Sequence, residues 1–260
     1  MLEAAKKNPT TASIANDLET QLFKYWSLRI GDGPDHVFRA LGLGLTREKP
    51  LTIFHWLSFD IIGDNVLASP EFKTFSKLLD RFNKENPDKK TTLVSVLKNV
   101  YGPMGPSKLI LKALSSKEPS TENIAKRLEA ELFKMWLTKY NPNQAFRFLK
   151  LHRSPDNVLD NPLLKIWASY MNTFNTKNPS KKTTMIDTFR TQFGDESLSK
   201  LLVEAKAVQS SKKMATDLQA SLLTKWTAEK KTTASVAKLL GNSEDGQLML
   251  KTYTVKLAEV

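Results

Sequence analysis

Apolar residues in this 260-residue chain recur three and four positions apart, and the pattern itself returns in blocks. The stretch 120–211 shows it in full. Ile124, Leu128, Leu132 and Trp136 stand at four-residue steps, with Phe133 and Met135 widening the stripe. That spacing predicts an amphipathic helix of roughly twenty residues. Ser120-Thr121-Glu122 offers a capping hydroxyl and an acid in the first turn. Asn141-Pro142-Asn143 ends the helix, because proline cannot continue the hydrogen-bond ladder. A short helix with Ala145, Phe146, Leu149 and Leu151 follows. Pro162 then stands where an N1 proline opens a helix carrying Leu163, Ile166, Trp167, Tyr170 and Phe174, broken at Asn178-Pro179. Thr183 or Thr184 can cap a helix with Met185, Ile186, Phe189 and Phe193, which Gly194 can close in the left-handed conformation. A last helix from about Ser197 presents Leu198, Leu201, Leu202 and Ala205. Five helices joined by short polar breaks predict an antiparallel bundle.

The blocks repeat at fixed offsets. Ile14-Ala15, Leu18-Glu19, Leu22-Phe23-Lys24 and Trp26 return as Ile124-Ala125, Leu128-Glu129, Leu132-Phe133-Lys134 and Trp136. They return again, reduced, as Met214-Ala215, Leu218, Leu222-Leu223 and Trp226. A second block matches without gaps at an offset of 92, from Asn65-Val66-Leu67 with Asn157-Val158-Leu159 through Ser107-Lys108-Leu109 with Ser199-Lys200-Leu201. The chain therefore reads as an all-α tandem array of helical-bundle modules, an architecture that offers binding surface before chemistry. Residues 1–10 are a leader or remnant and 11–119 a first module. The stretch 120–211 is a complete module and 212–260 a partial terminal one, whose last helix carries Leu250, Tyr253 and Leu257. An insert in the first module with Ile53, Phe54, Trp56, Leu57, Phe59, Ile61 and Ile62 predicts an additional buried helix over about 50–62.

Composition narrows the chemistry. The chain has no cysteine, which removes disulfides, thiolate zinc sites and cysteine nucleophiles together. No run approaches the length of an apolar membrane span. The N-terminal Met-Leu-Glu-Ala-Ala-Lys-Lys has no apolar h-region, so a secretion signal is either absent or already removed. The net charge of +12 is spread almost evenly over the modules; a diffuse basic surface attracts acidic proteins, nucleic acid and anionic lipid alike. Trp26, Trp136, Trp167 and Trp226 lie on apolar helical faces with Tyr170 and Tyr253, so they read as core rather than as stacking platforms. Lys-Lys-Thr-Thr occurs at 89–92, 181–184 and 230–233. Without a glycine-rich turn ahead of it, it reads as solvated lysines before a helix-capping threonine, not as a phosphate loop. His36, His55 and His152 are scattered and form no metal-ligand spacing. No catalytic, cofactor or metal residues are proposed by the pattern. Nucleic-acid binding is the alternative class. It is disfavoured because the basic residues are interspersed with acids and no recognition motif is visible.

The motifs resemble a known family. Trp26 with Pro34-Asp35, Val37-Phe38, Leu41 and Leu43, and Trp136 with Pro142, Ala145-Phe146, Leu149 and Leu151, look like the W motif of the RXLR effectors of oomycete plant pathogens. Trp167, Tyr170 and Phe174-Asn175 resemble the family's Y motif, and Ile124, Leu128 and Leu132 with the closing helices resemble the L motif of its tandem LWY arrays. The first module departs, with Phe75 and Leu78 at the Trp167 and Tyr170 positions, and the third has Leu250 for that tryptophan. The RXLR motif itself is absent, as expected of a chain trimmed to its folded region.

The resemblance implies an elongated rod of modules with no enzymatic activity or cofactor. It also implies a monomer, secreted by the pathogen and delivered into the host plant cell. It further implies virulence through binding a host protein and suppressing immunity. The sharpest partner is the scaffold subunit of host protein phosphatase 2A, taken in place of a regulatory subunit. The junction of the second and third modules, about Ser197 to Lys225, is where geometry is expected to matter, with exposed lysines and arginines facing an acidic partner.

Overall fold

The computed structural model describes residues 5, 8–15, 17–18, 21, 50–56, 59–116 and 118–258; Trp26 and the Trp56 side chain lie outside the described residues. All regular structure among the described residues is helical. The chain divides into two compact units, 1–134 and 135–260. This division falls inside one helix, whereas the repeat boundaries near 120 and 212 mark where sequence blocks return.

The first unit holds helices α1 (Pro50–Trp56), α2 (Phe59–Ile62), α3 (Pro70–Glu85), α4 (Leu93–Tyr101) and α5 (Gly105–Leu114), and most of α6 (Pro119–Leu137). The insert is two short helices rather than the single one expected, and Ile62 is exposed. The break has a packing reason. On one straight helix, Phe54 and Phe59 would point about 140° apart. Split between α1 and α2, both are fully buried, their rings 4.9 Å apart and each packed on Phe75, at 5.3 and 5.8 Å.

The second unit holds α7 (Pro142–Phe148), α8 (Leu163–Lys177), α9 (Met185–Lys206), α10 (Lys212–Ala228), α11 (Thr233–Leu240) and α12 (Glu244–Ala258). Asn141 starts α7 with a reciprocal capping box to Gln144, each bond 2.9 Å. Pro162 has helical backbone angles (φ −60°, ψ −28°) and leads into α8 as an N1 proline does; the Asn161 side chain accepts from Leu163 N–H at 3.0 Å and does the capping. Gly194 ends the helix that begins at Met185, as expected, and a second helix carrying Leu198, Leu201, Leu202 and Ala205 follows it, so α9 is two helices joined at this residue. With φ at 76°, only its ψ of 162° departs from the left-handed helical value, and the joint is a sharp kink. Gly102, its repeat equivalent, has φ 76° and ψ 179°.

The buried stripe of the tryptophan helices begins one residue later than expected. Ala125, Leu128, Leu132 and Trp136 are buried while Ile124 is half-buried. In the other copies Ala15 and Ala215 are inside, and Ile14 (62% exposed) and Met214 (38%) are outside. At 100° per residue, Ala125 lies about 20° from the Trp136 direction and Ile124 about 120° away. Four-residue steps drift off the face; a three-step corrects the drift. Helix α6 also starts earlier, at Pro119, and its Thr121 hydroxyl donates to the Glu118 carboxylate at 3.1 Å.

Candidate protein-binding surface

The tryptophans and tyrosines singled out by sequence lie inside. Trp136, Trp167, Tyr170, Trp226 and Tyr253 are each fully buried. Trp136 and Tyr170 meet edge to face at 5.1 Å, and Trp226 and Tyr253 at 6.5 Å. Both tyrosine hydroxyls donate to a backbone carbonyl just past the tryptophan helix. Tyr170 reaches Tyr140, and Tyr253 reaches Lys231 at 2.7 Å. Trp167 packs on Phe146 at 5.2 Å and donates its indole N–H to the Pro142 carbonyl at 2.8 Å. These residues shape the modules; a partner meets what lies around them. In α12, Leu250 is half-exposed, and Gly246 and Met249 join Tyr253 in the core. A Cβ at Gly246 would come within 2.6 Å of the Leu240 carbonyl oxygen, so α11 and α12 approach too closely there for a larger side chain.

The three Lys-Lys-Thr-Thr segments do the same local work. Thr92, Thr184 and Thr232 accept from Ser95, Asp187 and Ser235 N–H at 3.1, 3.2 and 3.2 Å, capping α4, α9 and α11. In the first two segments the threonine before the cap is held by an asparagine of the previous helix; in the third the cap is the first threonine and Lys231 precedes it. Asn83 receives the Thr91 N–H at 2.9 Å and donates to the Thr91 carbonyl at 2.8 Å. Asn175 does the same with Thr183, at 3.0 and 2.7 Å. The repeat of Phe-Asn ahead of the first two Lys-Lys-Thr-Thr segments carried this signal. Paired main-chain bonds of this kind hold the turn between helices in one geometry.

Around the junction expected at Ser197 to Lys225, α9 and α10 pack together, and Ser211 donates to the Ala205 carbonyl at 2.9 Å to fix the turn between them. A charged cluster brackets it. Arg190 pairs with Asp195 at 2.6 Å across the Gly194 kink and also with Glu229 beyond α10. Asp195 accepts the Trp226 indole N–H at 2.8 Å, and Lys231 lies 3.6 Å from it. Burial pushes the Asp195 carboxyl up, but Arg190, the Trp226 N–H and Lys231 outweigh it and hold it below the usual carboxylate range. Glu229 is lowered chiefly by its bonds to Arg190. Nearby, Asp187 pairs with Lys225 at 2.8 Å and Asp245 with Lys206 at 2.5 Å. Sequence reasoning missed Arg190, Asp195 and Glu229. The repeat could not reveal them, since the first-module equivalents of Arg190 and Asp195 are Lys98 and Pro103.

Outside these contacts the second unit exposes Lys212, Lys213 and Lys230 together with the apolar Val208, Leu248 and Val255. Among the described residues no helix is long and apolar enough to cross a membrane, and no group of three or more His, Asp or Glu is placed to hold a metal. The arrangement is one of firmly packed modules with a mixed basic and apolar exterior, suited to contacting another macromolecule.

No protein-family profile matches the chain. It is 38% identical over 260 residues to the RxLR effector protein PSR2 of Phytophthora infestans, the match covering 100% of this chain and 32% of that protein. It is 36% identical to PSR2 of Phytophthora sojae, over 98% of this chain and 36% of the relative. The chain thus spans about a third of the length of these curated relatives. Its fold matches the crystal structure of PcRxLR12 with a TM-score of 0.71 at 29% identity, covering 99% of this chain and 60% of that one.

Proposed function

We propose, for a chain that belongs to the RxLR effector family of oomycete plant pathogens, that it works inside the host cell as a virulence effector that binds a host protein and performs no chemistry of its own. The observation that carries this reading is the match to effector proteins along its whole length. Packing supports it: among the described residues the indoles of Trp136, Trp167 and Trp226, which could have served as stacking platforms, are turned into the cores. The partner we propose is the scaffold subunit of host protein phosphatase 2A, engaged in place of a regulatory subunit so that dephosphorylation is redirected and immunity suppressed. A basic exterior favours an acidic partner surface and speeds encounter with it.

The test is direct. Purified chain is mixed with the scaffold–catalytic core of the phosphatase, and complex formation is followed by size-exclusion chromatography with a regulatory subunit as competitor. A stable complex that the regulatory subunit displaces supports the proposal; no complex rejects this partner. Retention on duplex and single-stranded DNA at two salt concentrations addresses the alternative. Binding that falls with a log–log slope near −0.9 per phosphate contacted would mark the chain as a nucleic-acid binder.

A further inference from the structure

The two repeats differ at one packed position. In the first unit, Glu131 of α6 reaches the start of α4, where its carboxylate accepts the Val94 N–H at 3.3 Å. Arg127 steadies that carboxylate at 3.4 Å while bonding Asp80 at 2.8 Å and Ser76 at 3.1 Å. The repeat offsets carry Val94 onto Ile186, and carry Glu131, Arg127, Asp80 and Ser76 onto Ser221, Asp217, Asn172 and Ala168. The whole polar set is replaced, yet the helices it joined are retained.

What stands at that place in the second unit is an open groove of about 410 Å³, lined by Thr184, Met185, Ile186, Leu218, Ser221 and Lys225 among others. Ser221 is too short to cross it, and its hydroxyl turns back to the Asp217 carbonyl at 2.9 Å. Among the described residues no acceptor reaches the Ile186 N–H, the second of α9. We propose that this groove receives an aspartate or glutamate side chain of a bound polypeptide, seated on the Ile186 N–H as Glu131 is seated on Val94.

Three features favour that occupant. The first unit already shows a carboxylate on the equivalent amide. The buried Ile186 and Leu218 give the groove an apolar floor, which strengthens a charge-assisted hydrogen bond. The amides of α9's first turn, where Thr184, Met185 and Ile186 line the groove, make that wall electropositive. Asp187 beside the groove is already paired with Lys225 at 2.8 Å and with the Thr184 hydroxyl at 2.6 Å. This deepens the protein-binding reading by naming the chemistry of one contact, and it does not depend on which host protein is bound.

A display library of helical peptides that combine leucine with acidic, amide or neutral residues tests it on the full chain. Selected peptides should carry Asp or Glu beside an apolar residue, shift the Ile186 amide resonance on binding, and weaken about ten-fold or more when that acid becomes its amide. Ser221→Glu should supply the carboxylate internally and lose the peptides to the same degree. Ser221→Ala should bind like the unaltered protein, showing that the change of residue alone is harmless. The proposal is overturned if no peptide is selected, if the selected peptides lack an acid, or if they leave Ile186 unmoved. It is equally overturned if Ser221→Glu binds as before, or if Ile186 shifts with protein concentration alone, which would place a second copy in the groove.

Discussion

Tyr170 meets two requirements with one side chain. Its ring stands perpendicular to Trp136 at 5.1 Å, and its hydroxyl closes on the Tyr140 carbonyl. Burial pushes that hydroxyl up to about 12, so it remains a neutral donor at any physiological pH. Trp136→Ala or Tyr170→Ala should each cost about 3–5 kcal/mol through a core cavity. Because the two rings touch, the double variant should cost less than the sum. Tyr170→Phe keeps the packing and leaves a carbonyl without its donor, so about 1–2 kcal/mol is expected. Urea denaturation of the four variants measures all of this, and unchanged midpoints would refute the core role. The threonines separate in the same way. Thr184→Ala should cost about 1 kcal/mol by removing the α9 cap. Thr183→Ala should be nearly neutral, because Asn175 holds only its main chain.

Between residues and molecule, the kink in α9 is the element that most constrains the second unit. Gly194 at φ 76° and ψ 162° lies in a region open essentially to glycine alone, and a Cβ there would meet nothing within 4 Å. Gly194→Ala should therefore destabilise by about 1–3 kcal/mol through backbone strain, not collision. Gly102→Ala in the first unit should behave alike. Arg190 and Asp195 tie the kink's two sides together, and Glu229 and Trp226 tie it to α10. Since the Asp195 and Glu229 carboxyls are held below their ordinary values in the fold, their contribution to stability is present above the unfolded carboxylate range. It is lost as pH falls below about 4. Thermal melts across pH should show a flat plateau at neutral pH and an acid decline, and Asp195→Asn should lower the plateau while softening the decline. A decline of equal steepness in that variant would assign it to other carboxylates.

At the scale of the whole molecule, charge and repetition set the behaviour. A net charge of +12 with no concentrated block gives long-range attraction to an acidic partner without a single dominating contact. Raising salt from about 0.05 to about 0.5 M should slow association several-fold by shortening the Debye length, with a smaller effect on dissociation. Surface plasmon resonance at the two salt concentrations separates the two rates. A salt effect confined to dissociation would point instead to buried ion pairs as the seat of recognition.

Helices, their breaks and the inward set of Trp136, Trp167, Tyr170, Trp226 and Tyr253 were readable from spacing and repetition, because both are properties of neighbouring residues on one helix. The capping threonines were readable for the same reason. Helical phase was less so: Ile124 and Ala125 stand side by side, and only the accumulated rotation over three turns puts one inside. The break between Phe54 and Phe59, the Arg190–Asp195–Glu229 cluster and the groove at Ser221 depend on residues brought together from different helices. Linear order contains no term for such encounters, and the cluster and the groove arise where the repeats diverge. Chain pattern settles which faces turn inward; folding in three dimensions settles which charges and hollows those faces leave at the surface.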